Sequence, residues 1–383
     1  MKLAIVYVFA VLIILNESCG GKNENHSVSG NNDKGTLLTR AERFTLQKND
    51  SFTIVTIINP WQGAKNVNQV YYLVKRGYPL PAGIDTSMVI RVPVKSIICM
   101  SATYISMITA LKEENSISGV SGADFIFSEI INNNIDQGIV GDVGFEASLN
   151  KELIIKISPD LVMMYGIDSE STGYTGKIKE LGVTVLFNAD YLETDPLSKA
   201  EWIKVFGALY CKEQIADSIF ISESVSYNTL KSFIRSNISF RPKVLLGLPY
   251  KDKWYVSPGN SFISKIINDA GGDYLWQYVQ SEISMPFGIE NVYLVALNAD
   301  YWLNIGNINS KEEISVFDQR LMELPCFKNG NLYNNNKRVT LNGGNDYWES
   351  GSLFPHIILK DIAAILHPGL FSDYEFFFYK KVF

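Results

Sequence analysis

The chain has 383 residues, with 34 Lys and Arg against 40 Asp and Glu, for a formal net charge of −6. This acidic balance, with no basic runs, excludes nucleic acid as a partner, and the length is ample for two packed domains. Only three histidines occur, His26, His356 and His367, and the chain lacks Gly-x-Ser-x-Gly, a Walker loop, His-Glu-x-x-His and any Cys/His cluster with metal spacing. Those absences argue against an enzyme and against a resident metal or cofactor.

Residues 1–18 read as a secretory signal: a basic start at Lys2, an apolar run over 3–15, and Ser18 before the cut. The run falls short of the roughly 20 apolar residues that a comfortable membrane span needs. Leu15-Asn16-Glu17-Ser18-Cys19 resembles a bacterial lipobox, which makes Cys19 the expected site of lipidation. An ordinary signal peptide with an incidental Cys19 is the competing reading. Residues 19–42 form a Gly, Asn, Ser and Lys-rich tether that cannot bury enough surface to order itself. Cys99, Cys211 and Cys326 remain, an odd number, so no disulfide framework is expected. Their apolar neighbours suggest three buried thiols.

Residues 43–91 form a small β region. Strands are expected at 44–46, 51–58 and 70–74, with Asn49-Asp50 as the first turn. Asn59-Pro60-Trp61-Gln62-Gly63 interrupts them, and Trp61 either packs the β layer onto the next lobe, the favoured reading, or caps a cleft. Over 92–193 strands and helices alternate. Strands at 96–100, 117–120, 138–141, 159–165 and 184–187 are interleaved with helices at 102–111, 149–156 and 177–181. That alternation implies a mainly parallel sheet covered on both faces.

Residues 194–241 are helical. Thr194 or Asp195 caps the start, Pro196 takes the first helical position, and a break falls near 207–212. The stretch from 212 to 237 would span about 39 Å, enough to cross a domain. From 242 to 383 the α/β pattern restarts, with strands at 243–247, 254–256 and 301–305 and helices at 261–270, 292–297 and 355–366. The expected fold is therefore α/β: two doubly wound lobes joined by one long rigid helix, with an N-terminal β extension.

Two segments correspond between the lobes: Gly141-Asp142-Val143 through Asn150-Lys151-Glu152 to Pro159-Asp160-Leu161-Val162, and Gly288-Ile289-Glu290-Asn291-Val292 through Asn298-Ala299-Asp300. With Ser257-Pro258-Gly259-Asn260 and Ala270-Gly271-Gly272-Asp273, they resemble the periplasmic binding proteins for cobalamin, haem and ferric siderophores that serve ATP-driven importers. The resemblance covers roughly residue 92 to the C-terminus. It implies a monomeric, lipid-anchored solute-binding protein of the bacterial cell envelope, on the periplasmic side or the outer-membrane surface. Its ligand would be a metal chelate or corrinoid delivered to an ABC permease. It further implies that Glu152 and Glu290 dock onto permease arginines, a pairing that guanidinium and carboxylate geometry favours. The alternative is a surface lipoprotein that captures the same ligands for an outer-membrane receptor, without permease docking.

In doubly wound lobes, ligands meet the loops at the C-terminal ends of strands. That rule nominates Ser101, Thr103, Tyr104, Asp124, Phe125, Phe145, Glu146, Tyr165 and Gly166 from the first lobe. From the second come Tyr250, Trp254, Tyr255, Trp276, Tyr347 and Trp348. Their aromatic character suits a large planar or macrocyclic ligand, although packing accounts for about half of any such list. Tyr165 or Tyr250 would be the haem ligands, histidine being poorly placed, and Arg91 and Lys251 the cations for a ferric siderophore.

Overall fold

The computed structural model describes residues 40–49, 51–145, 148–166 and 176–383. The expected signal, Cys19, His26, nearly all of the tether, and Glu146 lie outside them.

The N-terminal β region is a four-stranded sheet in the order β1 (Phe44–Lys48), β2 (Phe52–Ile58), β3 (Asn68–Lys75), β4 (Val89–Val92). The first three strands meander antiparallel, and β4 joins β3 in parallel. Its buried face carries Phe44, Leu46, Val55, Ile57, Tyr71 and Leu73, the inward set of an alternating pattern. Two buried carboxylates hold the start of this region. Glu193 accepts from the N–H groups of Glu42 and Arg43, and Glu201 from those of Arg40 and Ala41.

The first lobe is an all-parallel sheet of β5 (Ile97–Cys99), β6 (Ile117–Val120), β7 (Gly141–Asp142), β8 (Leu161–Met164) and β9 (Val185–Phe187), ordered β7-β6-β5-β8-β9. β5, β8 and β9 are buried along their whole length, as expected of strands covered on both faces. The strand expected at 138–141 is displaced to β7, because Gly138 at φ +71 turns the chain instead of extending it. An unexpected helix, Glu129–Asp136, is started by Ser128, whose hydroxyl accepts from the Ile131 N–H.

Asp195 caps the linking segment through the N–H groups of Leu197 and Ser198, with Pro196 in the first turn. Short helices Pro196–Glu201 and Ile203–Leu209 lead to the long helix Glu213–Asn237, about 37 Å of it. Gly207 permits the crossing of these helices, since a Cβ there would lie 2.5 Å from that of Ala216. The turn between them puts Cys211 on the surface at φ +56. It is thus an exposed thiol, contrary to the expectation from its apolar neighbours, whereas Cys99 and Cys326 are buried; all three are free. The long helix is fastened to the second lobe by polar contacts. Tyr227 donates to Asp269 at 2.9 Å, and buried Glu223 accepts from the N–H and Nδ1 of His356.

The second lobe has β10 (Lys243–Leu246), β13 (Asp273–Tyr274), β15 (Tyr301–Leu303), β16 (Leu332–Asn334) and β17 (Lys380–Lys381) in the order β13-β10-β15-β16-β17, antiparallel only at β17. A second antiparallel sheet joins β11 (Pro249–Tyr250), β12 (Lys253–Val256) and β14 (Met285–Gly288). The last helix, Pro355–Leu366, is buried along most of its length. Among the described residues no helix is long and apolar enough to cross a membrane.

Candidate functional site

In the first lobe the connections diverge between β5 and β8, which are adjacent strands leading to opposite halves of the sheet. The crevice outside the strand ends at such a switch point is where ligands enter doubly wound sheets. A cavity of about 510 Å³ lies there. Ser101, Ala102, Thr103 and Tyr104 follow β5, Tyr165 follows β8, and Asp190 and Tyr191 follow β9. Gln62 comes from the β region and Lys199 from the linking segment. The second lobe contributes Phe262, Tyr347, Trp348 and the start of the last helix at Ile358.

The walls are aromatic. Tyr165 meets Tyr191 edge-on at 6.3 Å, and Tyr347 meets Trp348 edge-on at 4.8 Å. Trp348 remains 61% exposed, so its ring is open to a ligand. Tyr191 donates to the Gly166 carbonyl and accepts from the Gln62 N–H, which ties the β region to the cavity wall. Trp61 next to it packs on Phe187 at 5.7 Å and bridges to Gly166, so it joins the layers, and its neighbour Gln62 reaches the cavity.

Two charged side chains enter this apolar space. Asp190 is buried, and burial pushes its carboxyl up, against the opposing pull of Lys199. Burial pushes the Lys199 ammonium down, with the charges of Asp190 and Glu193 opposing. The Lys199 Nζ lies 4.8 Å from the centre of the Phe262 ring, a cation–π contact across the linker and second lobe.

Of the residues nominated from sequence, the cavity gathers Ser101, Thr103, Tyr104, Tyr165, Tyr347 and Trp348. Phe125 and Phe145 stand outside it, half-exposed and edge-on to each other at 5.9 Å at the ends of β6 and β7, away from the switch point. Tyr250 and Tyr255 are exposed on the second lobe's antiparallel sheet. Trp254 has no surface to offer: it is fully buried, 5.8 Å from Trp302, with its Nε1 donating to the Leu246 carbonyl. Trp276 is likewise buried beside Tyr274. Arg91 donates to the carbonyls of Lys75 and Tyr78, and Lys251 lies over Tyr250, so neither cation lines the cavity. Asp190, Tyr191, Lys199, Gln62 and Phe262 were missed. The Asp195-Pro196 cap marks where Lys199's helix begins, but its aim depends on tertiary packing.

Beside the cavity the lobes meet directly. Glu349, at the end of the short helix Asp346–Glu349, turns its Oε2 to the N–H groups of Phe127 (2.7 Å) and Ser128 (3.3 Å). Gly344 permits this approach, since a Cβ there would lie 2.2 Å from the Ile126 carbonyl oxygen. Arg338 pairs with Asp346 at 2.6 Å and covers the Phe127 ring. Burial pushes the Glu349 carboxyl up to about 7; its two N–H donors oppose the rise and the Asp346 charge adds to it. Both of those donors fall on Oε2.

Unfolded, the same carboxyl ionises near 4.5. Between that pH and about 7 the folded chain keeps a proton that the unfolded chain has released. Stability from this group therefore falls as pH rises through the window, by roughly 3 kcal/mol in all. Glu349→Gln is expected to flatten the slope, measured as thermal unfolding from about pH 4 to about pH 8. An unchanged slope would assign the proton elsewhere.

Glu152 and Glu290 are both exposed and occupy the first turns of the helices Lys151–Ile157 and Ile289–Ala296. Each of these helices returns the chain to the start of a parallel strand, β8 or β15. Among the described residues no group of three or more His, Cys, Asp or Glu is arranged to hold a metal ion.

Several solved structures of solute-binding proteins share this fold. A periplasmic haem-binding protein from Pseudomonas aeruginosa superposes with a TM-score of 0.56 at 15% identity, covering 72% of this chain and 93% of that one. An Fe3+-hydroxamate transport protein from Saccharomonospora viridis gives 0.55 at 14% identity, covering 81% and 98%. The periplasmic vitamin B12-binding protein of Vibrio cholerae gives 0.51 at 14%, covering 73% and 98%. The chain thus has the fold of the periplasmic binding proteins in which a long helix joins two α/β lobes. No family model matches it. In sequence it is 30% identical over 354 residues to the uncharacterized lipoprotein MJ0878 of Methanocaldococcus jannaschii, covering 85% of this chain and 81% of that protein. It belongs to that lipoprotein family. The lipoprotein MJ0872 of the same organism is 29% identical over 342 residues, covering 83% and 81%.

Proposed function

We propose that the protein is a lipid-anchored solute-binding protein of the cell envelope. It captures a metal chelate or corrinoid, of the ferric siderophore, cobalamin or haem kind, and delivers it to an ABC permease. The observation that carries this reading is the aromatic cavity at the switch point of the first lobe, walled on its far side by Phe262, Tyr347 and Trp348 of the second. Its size falls in the range of about 300–1,000 Å³ usual for small-molecule sites. The lipoprotein relatives support an anchor, and the haem, vitamin B12 and hydroxamate proteins of like fold support the ligand class.

The test is thermal unfolding of the purified protein with haem, cobalamin and a series of ferric siderophores. A ligand at 100 times its Kd is expected to add about 2.7 kcal/mol of stability. Trp348→Ala removes an open stacking face and is expected to weaken that ligand about tenfold. Binding that ignores Trp348 would move the site elsewhere, and no stabilisation by any of the three classes would reject the reading.

A further inference from the structure

We infer that the cavity seats an acidic group, a carboxylate on the rim of its ligand, against the Lys199 ammonium, the Tyr104 hydroxyl and the open start of the helix Ala102–Ala110. The inference rests on the ligand-binding reading of the cavity and names the chemistry of what enters it.

Three features converge. Ser101 stands at the N-cap of that nine-residue helix but makes no side-chain bond to its first-turn N–H groups; its hydroxyl is within 3.0 Å of the Thr103 hydroxyl instead. The helix therefore offers unfilled N–H donors and a positive dipole end to the cavity. One turn in, Tyr104 is 1% exposed, and among the described residues its hydroxyl has no hydrogen-bond partner. A buried polar atom in that state is costly unless a guest completes it. Lys199 lines the same cavity, with the Phe262 ring as its contact and, among the described residues, no carboxylate within 4 Å. Asp190 and Glu193 act on this ammonium only from beyond that distance, so its N–H donors are left for an anion from outside.

These three groups are donors, so a carboxylate satisfies all of them, whereas an amide-capped rim brings further donors. Asp190 works the other way. Its buried carboxylate lies on the same wall and repels an acidic guest. The two side chains thus predict opposite signs on mutation, which a purely structural role for either would not produce.

The experiment titrates tryptophan fluorescence with mesoporphyrin, a planar dicarboxylate without a metal, and with its dimethyl ester. Cobalamin and the ferric hydroxamate ferrichrome are run in parallel. The diacid is expected to bind the wild-type protein more tightly than the diester. Lys199→Met should weaken the diacid about tenfold and leave the diester within about twofold. Lys199→Arg, which keeps the cation, should retain diacid binding, and Asp190→Asn should tighten it several-fold; unfolding temperatures check that each variant is folded. Equal affinity for diacid and diester, or equal weakening of both by Lys199→Met, overturns the inference. If cobalamin or ferrichrome binds in a Trp348-dependent way and the diacid does not, the inference falls and the binding-protein reading stands. If no probe binds, both fall.

Discussion

Asp361→Ala is expected to cost about 4 kcal/mol or more of folding stability, roughly 6 °C in unfolding temperature. Asp361 is fully buried in the last helix and gathers the C-terminal segment around one carboxylate. Its oxygens accept from the N–H groups of Phe377 (2.8 Å), Phe378 (2.6 Å) and Tyr379 (3.0 Å), and from the Tyr374 hydroxyl at 2.7 Å. Removing it strands the buried N–H groups of Phe378 and Tyr379 and the part-buried one of Phe377, and each buried orphan costs roughly 1–3 kcal/mol. The segment so held carries Phe378 and Tyr379, both buried, with Tyr379 5.9 Å from the cavity residue Tyr347. Loosening should therefore reach the cavity. Asp361→Asn keeps one acceptor and should lose less than the alanine variant. Denaturant unfolding of both variants checks this, and a loss under about 1 kcal/mol for Asp361→Ala would refute the account.

The second large effect concerns delivery. Reversing both candidate docking charges, Glu152→Arg with Glu290→Arg, is expected to abolish import while ligand affinity and unfolding temperature stay nearly unchanged. Both side chains are exposed, and Glu290 has only a long contact, 3.5 Å, to Arg320, which is held mainly by Asp318 at 2.6 Å. The folding penalty is then limited to the helix-end interaction, about 0.3–1 kcal/mol at each site. A permease arginine facing the new charge would repel it. Uptake of labelled ligand in cells carrying the cognate permease, paired with a binding assay on the purified variant, separates the two properties. Undiminished uptake would remove Glu152 and Glu290 from the docking surface and favour a receptor that does not use them.

Much of the architecture was legible because its signals are local. Pro196 behind Asp195 announced the linking helices, and the apolar spacing to Phe233 announced the long one. The strand expected at 159–165 and the strand–helix alternation around it marked a sheet covered on both faces, and Leu161–Met164 is buried throughout. Glu129–Asp136 was missed because three consecutive asparagines lower its helical propensity, and a Ser128 cap with packing of Ile131 overrides that. Part of the cavity lining was legible for a topological reason. Loops after β5 and β8 must meet at the switch point, and Ser101, Thr103, Tyr104 and Tyr165 sit there.

The sequence by itself thus determined the alternation of elements and the linking helix, since caps, periodicity and strand runs act within a few residues. Only the tertiary structure decided which aromatics face the cavity. Trp254 and Trp348 look equivalent in sequence, yet one fills the core against Trp302 and the other stands open on the cavity wall. It alone brought Lys199 and Asp190 into one apolar space and set Glu349 against a backbone more than 200 positions away. A side chain's burial and charge state depend on neighbours from distant segments, and their arrival is settled by packing.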